Sequence, residues 1–223
     1  MTRTLALSLF LILLSAPLLH AQDLSRYRDF SFGMSPAELS RQVDAHQLQT
    51  RLIQSRPVTI REVIWWPREI SGASLPAEPV WQVLFTFYND ELYRILATYD
   101  RHATEGMTAE DLIESISVQY GAPTRPQDQI SFPTNEVYSS TETVIARWED
   151  AQFSVNLFRS SFLNTFGLVM ISKRLDERVR AALVEHARLT RQEVESRKEL
   201  DRLKNQAVAL EAARQKNKKT FRP

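Results

Sequence analysis

Between Gly167 and Pro223 the chain has neither glycine nor proline, although 5 Gly and 10 Pro occur in the whole sequence. Over that stretch nothing in the backbone chemistry breaks or sharply turns a helix. From Asp176 to about Asn217 the sequence is mostly Ala, Glu, Arg, Lys, Leu and Gln, which form helices readily. It therefore predicts one long α-helix, with Asp176 as its cap. Glu193–Arg197 has i,i+4 spacing, and Glu177–Arg180, Glu185–Arg188, Glu199–Arg202 and Glu211–Arg214 have i,i+3 spacing. Each such pair supports an isolated helix by roughly 0.2–0.5 kcal/mol. At 1.5 Å per residue the helix reaches about 60 Å, past the edge of any body the remaining residues can build.

Charge changes where the punctuation stops. Gln22 to Ser172 carries 12 Arg, no Lys and 19 acids, a net −7; Lys173 to Pro223 carries 15 bases and 8 acids, a net +7. The boundary separates a body of about 150 residues, enough for a real core, from a cationic rod. The 223-residue chain is 43% hydrophobic and 25% charged, a globular composition. With no cysteine, it has no disulfide, thiolate zinc site, iron–sulfur cluster or cysteine nucleophile. Its few, dispersed glycines leave no Walker loop and no G-x-G-x-x-G fingerprint.

The body contains a duplication. Gly33-Met34-Ser35-Pro36-Ala37-Glu38-Leu39 is echoed by Gly106-Met107-Thr108-Ala109-Glu110-Asp111-Leu112. In both, a hydroxyl residue stands where a helix begins and an acid follows three positions later, the pattern of a capping box. The predicted helices run over about 36–47, with Leu39 and Val43 on one face, and about 109–120, with Leu112, Ile113, Ile116 and Tyr120 as the apolar stripe. Gly121 and Pro123 end the second.

Strands follow each helix. In the first unit, Ile60 to Trp66 is an early strand, and Val80 to Tyr88 and Leu92 to Tyr99 form a hairpin around Asn89-Asp90-Glu91. A three-residue loop pairs Phe87 with Tyr93, Phe85 with Ile95, Val83 with Ala97 and Trp81 with Tyr99. Thr86–Arg94 and Gln82–Thr98 then lie on the opposite face. In the second unit, a loop at Asp150-Ala151 pairs Trp148 with Phe153, Ala146 with Val155 and Val144 with Leu157. Phe166 to Ile171 is a last strand, apolar enough to be buried on both faces. Pro67 to Pro79 and Gly121 to Asn135 read as linkers. The expected fold class is α+β: residues 22–104 and 105–173 as two tandem helix-plus-antiparallel-sheet units, then a long helix over 174–223.

The Gly106-Met107-Thr108 helix start, the Gly121-Ala122-Pro123 stop and the strands carrying Trp148 resemble the β-lactamase-inhibitor-protein-like fold. That fold also occurs in outer-membrane assembly lipoproteins of the SmpA/OmlA type. The resemblance covers about 33–172. It implies a binding or assembly module with no catalytic residues to carry over. The chain departs from the pattern in three ways: unit one has no G-x-P after its helix, the second helix is about a turn longer, and there is no cysteine to lipidate.

Residues 1–21 read as a secretory signal: a positive start at Met1 to Arg3, an apolar run from Leu5 to Leu14, and a cleavage position between Ala21 and Gln22. A periplasmic or secreted protein is the expectation.

Chemistry-bearing residues are few. Asp100, His102 and Glu105 stand near a strand end, and D-x-H supplies two of the three or four donors a metal needs. They define the alternative reading, a small metal-assisted hydrolase-like enzyme. Among the aromatics, Trp65 and Trp66 face opposite ways on a strand. With Trp81, Tyr88, Tyr93 and Arg94 they make a candidate partner-binding face, since Trp, Tyr and Arg dominate binding hot spots. Arg214, Lys216, Lys218, Lys219 and Arg222 follow the last acid and form a candidate anionic-surface site. A heptad seam runs through Leu175, Val179, Ala182, His186, Leu189, Leu200, Leu203, Ala207 and Leu210, interrupted by Glu193 and Ser196. The leading expectation is a non-catalytic binding or scaffolding protein. It engages a protein partner, a second copy through the C-terminal helix, or an anionic envelope surface. No cofactor, metal or nucleic acid is expected.

Overall fold

The two helix starts are built alike. In the computed structural model, which describes residues 23–67, 78–132, 141–160, 164–220 and 222, Gly33 and Gly106 both adopt positive φ (85° and 79°), the turn that leads into each cap. Ser35 Oγ accepts from the Glu38 N–H while the Glu38 carboxylate accepts from the Ser35 N–H at 2.7 Å; Thr108 and Asp111 repeat the arrangement at 2.7 Å. The signal segment and most of the Pro67–Pro79 linker lie outside the described residues.

Helix α1 is a single turn, Pro36–Leu39, where the sequence predicted 36–47. Its stripe is only Leu39 and Val43. Beyond it short polar side chains take over the backbone: Ser40 Oγ donates to the Pro36 carbonyl, and Asp44 Oδ1 accepts from the His46 N–H. Helix α2, Ala109–Tyr120, matches its predicted bounds and buries Leu112, Ile113, Ile116 and Tyr120. At roughly 1.5–3 kcal/mol for each buried side chain, against about 1 kcal/mol for a cap, the stripe keeps α2 folded and the cap sets where it starts.

The strands are β1 (Arg26–Tyr27), β2 (Phe30–Ser31), β3 (Leu48–Gln54), β4 (Ile60–Trp65), β5 (Val80–Tyr88), β6 (Glu91–Tyr99), β7 (Gln129–Ser131), β8 (Thr141–Glu149), β9 (Phe153–Arg159) and β10 (Phe166–Ser172). The first two form a small ribbon. The other eight make one antiparallel sheet in the order β3-β4-β5-β6-β10-β9-β8-β7. Each half is therefore a helix followed by a four-strand meander, and the two meanders meet edge to edge where β6 pairs with β10. The edge strands β3 and β7 were not expected. They are short or polar, and β7 falls inside the segment read as a linker.

Registers differ locally from expectation. The first hairpin turns through two residues, Asn89 and Asp90, both left-handed (φ 48° and 64°), which Asn and Asp tolerate. Phe87 then pairs with Leu92 rather than Tyr93, and a bulge at Tyr93 restores Phe85↔Ile95, Thr86↔Arg94 and Val83↔Ala97. A second irregularity sets Val80, not Trp81, opposite Tyr99. In the other hairpin Trp148 faces Val155 and Ala146 faces Leu157, two residues from the expected register. There Asp150 Oδ1 accepts from the N–H of Gln152 and of Phe153 and so fixes a wider turn. That slip of two keeps Ala146, Trp148, Val155 and Leu157 on one face, but an irregularity between Val144 and Ala146 pairs Val144 with Phe158 and turns it to the other.

One face, under α1 and α2, holds the main core: Leu39, Val83, Phe85, Phe87, Leu92, Ile95, Leu112, Ile116, Trp148, Val155, Leu157 and Leu168 belong to it. Phe32 stacks on Phe153 across the two halves at 5.1 Å. The other face carries Leu84, Leu96, Phe132, Phe158 and Val169, with a separate cluster of Ile60, Tyr93, Leu175 and Val179. Leu175 and Val179 belong to α3, Lys173–Thr220, which begins directly after β10. It starts three residues before the expected cap, and Asp176 lies inside the first turn, bonded to Arg180 at 2.7 Å.

Gly167 lies under the fully buried Phe158 ring, where an added Cβ would overlap ring carbons. Gly167→Ala is expected to lower the unfolding free energy by about 1–3 kcal/mol, read from urea denaturation. The caps predict an acid limb. Hydrogen bonds from the cap residues hold the Glu38 and Asp111 carboxyls below their ordinary 4.5 and 3.8. Their contribution is thus present above those values and lost as pH falls through the depressed ones. In Asp111→Asn the decline of melting temperature on acidification should be shallower than in the parent.

Candidate functional site: a charged row beneath the long helix

Cross-strand partners point to the same side of a sheet. On the face opposite α2, the register Arg51↔Glu62↔Thr86↔Arg94↔Ile171↔Ser154↔Glu149 runs without a break over β3, β4, β5, β6, β10, β9 and β8. Glu62 and Thr86 are completely buried and Arg94 is 3% exposed. Glu62 bonds Arg51 at 2.7 Å. The Tyr93 ring, turned to this side by the bulge, lies 5.8 Å from the Arg94 guanidinium and packs with Leu175 and Val179 of α3. Burial pushes its phenol up, with Asp176 and Glu62 adding to the shift and Arg94 and Arg180 opposing it. The first turns of α3 therefore cover a polar belt with an apolar rim.

At the far end of the row the belt opens into a cleft of about 330 Å³ lined by Arg147, Ser154, Asn156, Lys173, Asp176 and Arg180, among others. Most of its charges are matched within the protein. Lys173 Nζ is 2.7 Å from Glu149 Oε2 and 2.7 Å from the Asp150 carbonyl. Arg147 bonds Asp128 at 2.8 Å and donates to Asn156 Oδ1. Asn156 in turn donates to Ser154 Oγ at 3.2 Å. Among the described residues, none of those lining the cleft is a histidine. Within it, Lys173 ties the start of α3 to the β8–β9 turn.

The Asp100, His102 and Glu105 set does not converge. Asp100 is buried, and its Oδ1 accepts from the N–H of His102 (2.8 Å) and Ala103 (3.0 Å), closing the turn after β6. The His102 and Glu105 side chains are 85% and 81% exposed and 4.0 Å apart. Among the described residues no group of three or more His, Asp or Glu is arranged to hold a metal ion.

The aromatic set is divided between the two faces. Trp65 packs on the α1 side, 5.3 Å from Phe30, with Nε1 donating to Gln47 Oε1 at 3.1 Å. Trp66, half-buried, follows the end of β4. Tyr88 and Tyr93 belong to the α3 side, and Tyr93 and Arg94 are 1% and 3% exposed. These five residues do not form one accessible surface, because adjacent positions on a strand point to opposite faces and α3 covers the side that holds Tyr93. Trp81, displaced by its bulge, is 44% exposed.

Beyond Leu183 the long helix leaves the body. From Val184 to Thr220 every residue except Glu185 and Leu189 is exposed. Of the predicted seam, Leu175, Val179 and Ala182 pack on the sheet, whereas Leu200, Leu203 and Leu210 are 53%, 51% and 73% exposed. Arg214, Lys216, Lys218 and Lys219 lie exposed in the last turns, with Arg222 beyond them, and Arg214 reaches Glu211 at 3.4 Å. No described helix is long and apolar enough to cross a membrane. Comparison with protein-family models, curated proteins and solved structures returns no match.

The belt predicts what breaking the Arg51–Glu62 pair costs from either partner. Removing the buried carboxylate in Glu62→Ala should lower unfolding free energy by about 3 kcal/mol. Arg51→Ala takes the cation from a carboxylate that stays buried, although the Arg51 side chain is itself 41% exposed, and should lower it by roughly 1–3 kcal/mol. Paired urea titrations measure both.

Proposed function

We propose that this chain is a non-catalytic binding or scaffolding protein of the periplasm or secreted space, in which the sheet body anchors a projecting helix and the helix engages a protein partner. One observation carries the reading: about 55 Å of helix, from Val184 to Thr220, stands clear of the body with leucines exposed along it. Water does not favour such a stripe, and contiguous exposed apolar surface marks interaction sites. Among the described residues, Lys173, Glu149, Arg147, Asn156 and Ser154 of the cleft are engaged in bonds within the protein. The duplication of cap, helix and meander supports the likeness to tandem β-lactamase-inhibitor-like modules, and with it a binding role.

A photo-crosslinking residue at Leu203, compared with one at Glu114 on the exposed side of α2, tests the reading in cells that make the full chain. A discrete protein adduct from position 203 and none from 114 is expected. The absence of any adduct at 203 would overturn it.

A further inference from the structure

Resting on that reading, we propose that the partner of the projecting helix is a second copy of this chain, paired antiparallel through the seam from Glu193 to Asn217. The order of residues along the seam carries the argument. In heptad spacing the seam reads Glu193, Ser196, Leu200, Leu203, Ala207, Leu210, Arg214, Asn217: two polar positions, four apolar ones and two polar ones. All eight lie on the exposed part of α3. An antiparallel pair centred near residue 205 sets Leu200 on Leu210 and Leu203 on Ala207 of the second copy. It also sets Ser196 against Arg214 and Glu193 against Asn217, so polar layers meet polar layers and apolar layers meet apolar ones.

The charges choose the orientation. In the antiparallel register the flanking positions bring Arg197 opposite Glu211 of the second copy, twice by symmetry. Glu193 of each copy lies one layer from Arg214 of the other. One like pair arises, Lys204 with Lys204, at the water-facing edge on the two-fold axis. The parallel register gains Glu199 opposite Lys204 twice, but it forces Glu193 onto Glu193 and Arg214 onto Arg214 inside the seam. It also packs the two tips carrying Lys216, Lys218 and Lys219 side by side. Like charges in a seam cost more than at its rim.

Sterics agree with this register. The helix end at Thr220 falls opposite Thr190 of the second copy, seven residues clear of Leu183, the last residue packed on the body. With about 22 residues between that point and the centre on each side, the two bodies stand about 65 Å apart at opposite ends of a common rod.

The absence of cysteine makes the test direct. Chains carrying Leu203→Cys, mixed with chains carrying Ala207→Cys and oxidised, should give a disulfide-linked heterodimer, whereas Leu203→Cys by itself should stay mostly uncrosslinked. A homodisulfide from Leu203→Cys by itself as the dominant product would establish the parallel pair and overturn the proposal. In sedimentation equilibrium of the full chain, Glu211→Arg should weaken dimerisation by about tenfold or more, and adding Arg197→Glu should restore it. A parent chain that stays monomeric at roughly 100 µM also overturns the proposal. The two readings fail separately. A monomer whose position-203 crosslinker captures a different protein keeps the binding role and removes the second copy, and a position that captures nothing removes the role itself.

Discussion

The pairing of β6 with β10 organises the molecule. From Gly167↔Thr98 to Ile171↔Arg94 it joins the two meanders at their last strands, so that the duplicated halves share one sheet and one main core. Gly167 lets the Phe158 ring close over the strand, and Thr165 Oγ1 donates to the Tyr99 carbonyl at the end of the ladder. Because β10 occupies the middle of the sheet, the helix that follows it without a loop emerges over the centre of the second face.

This placement explains the charged row. The N-terminal turns of α3 give only Leu175, Val179 and Ala182 to the interior, too little to cover seven strands. The rest of the contact is polar: Lys173 to Glu149, with Asp176 and Arg180 beside the Tyr93 ring that stands over Arg94. Burying Glu62 among such groups is weakly stabilising at best relative to an apolar packing, but breaking it is expensive. A single arrangement of helix on sheet is what this kind of interface specifies. It fixes the direction in which the remaining turns project.

Much of the fold was legible beforehand. The caps at Ser35 and Thr108, the bounds of α2, the uninterrupted helix and the faces of both hairpins, except at Trp81, Tyr93 and Val144, follow from spacing and local hydrogen bonding. What escaped has a local cause. The helix over 36–47 shrank to a turn because Ser40 and Asp44 satisfy backbone groups with their own side chains. The loop and register shifts arose from the left-handed tolerance of Asn89 and Asp90 and from the Asp150 carboxylate. The candidate site was much less legible. Thr86 and Arg94 were expected to share a face, and they do, but nothing in their spacing tells that a helix some 80 residues later lies over them. The same closure takes Tyr93 and Arg94 out of any binding surface, while Asp100 is committed to a turn.

The sequence by itself determined the local elements: where helices start, which side chains share a face, where the charge changes sign, and that the final segment is helical from end to end. Those properties depend on neighbours within a few residues. Only the tertiary structure decided that β10 lies between β6 and β9, that a row holding the Arg51–Glu62 pair and Arg94 runs over the face that α3 packs on, and that the helix leaves the body after Leu183. These depend on which strands meet, and that choice is made by the whole buried surface at once, through contacts between residues far apart in the chain.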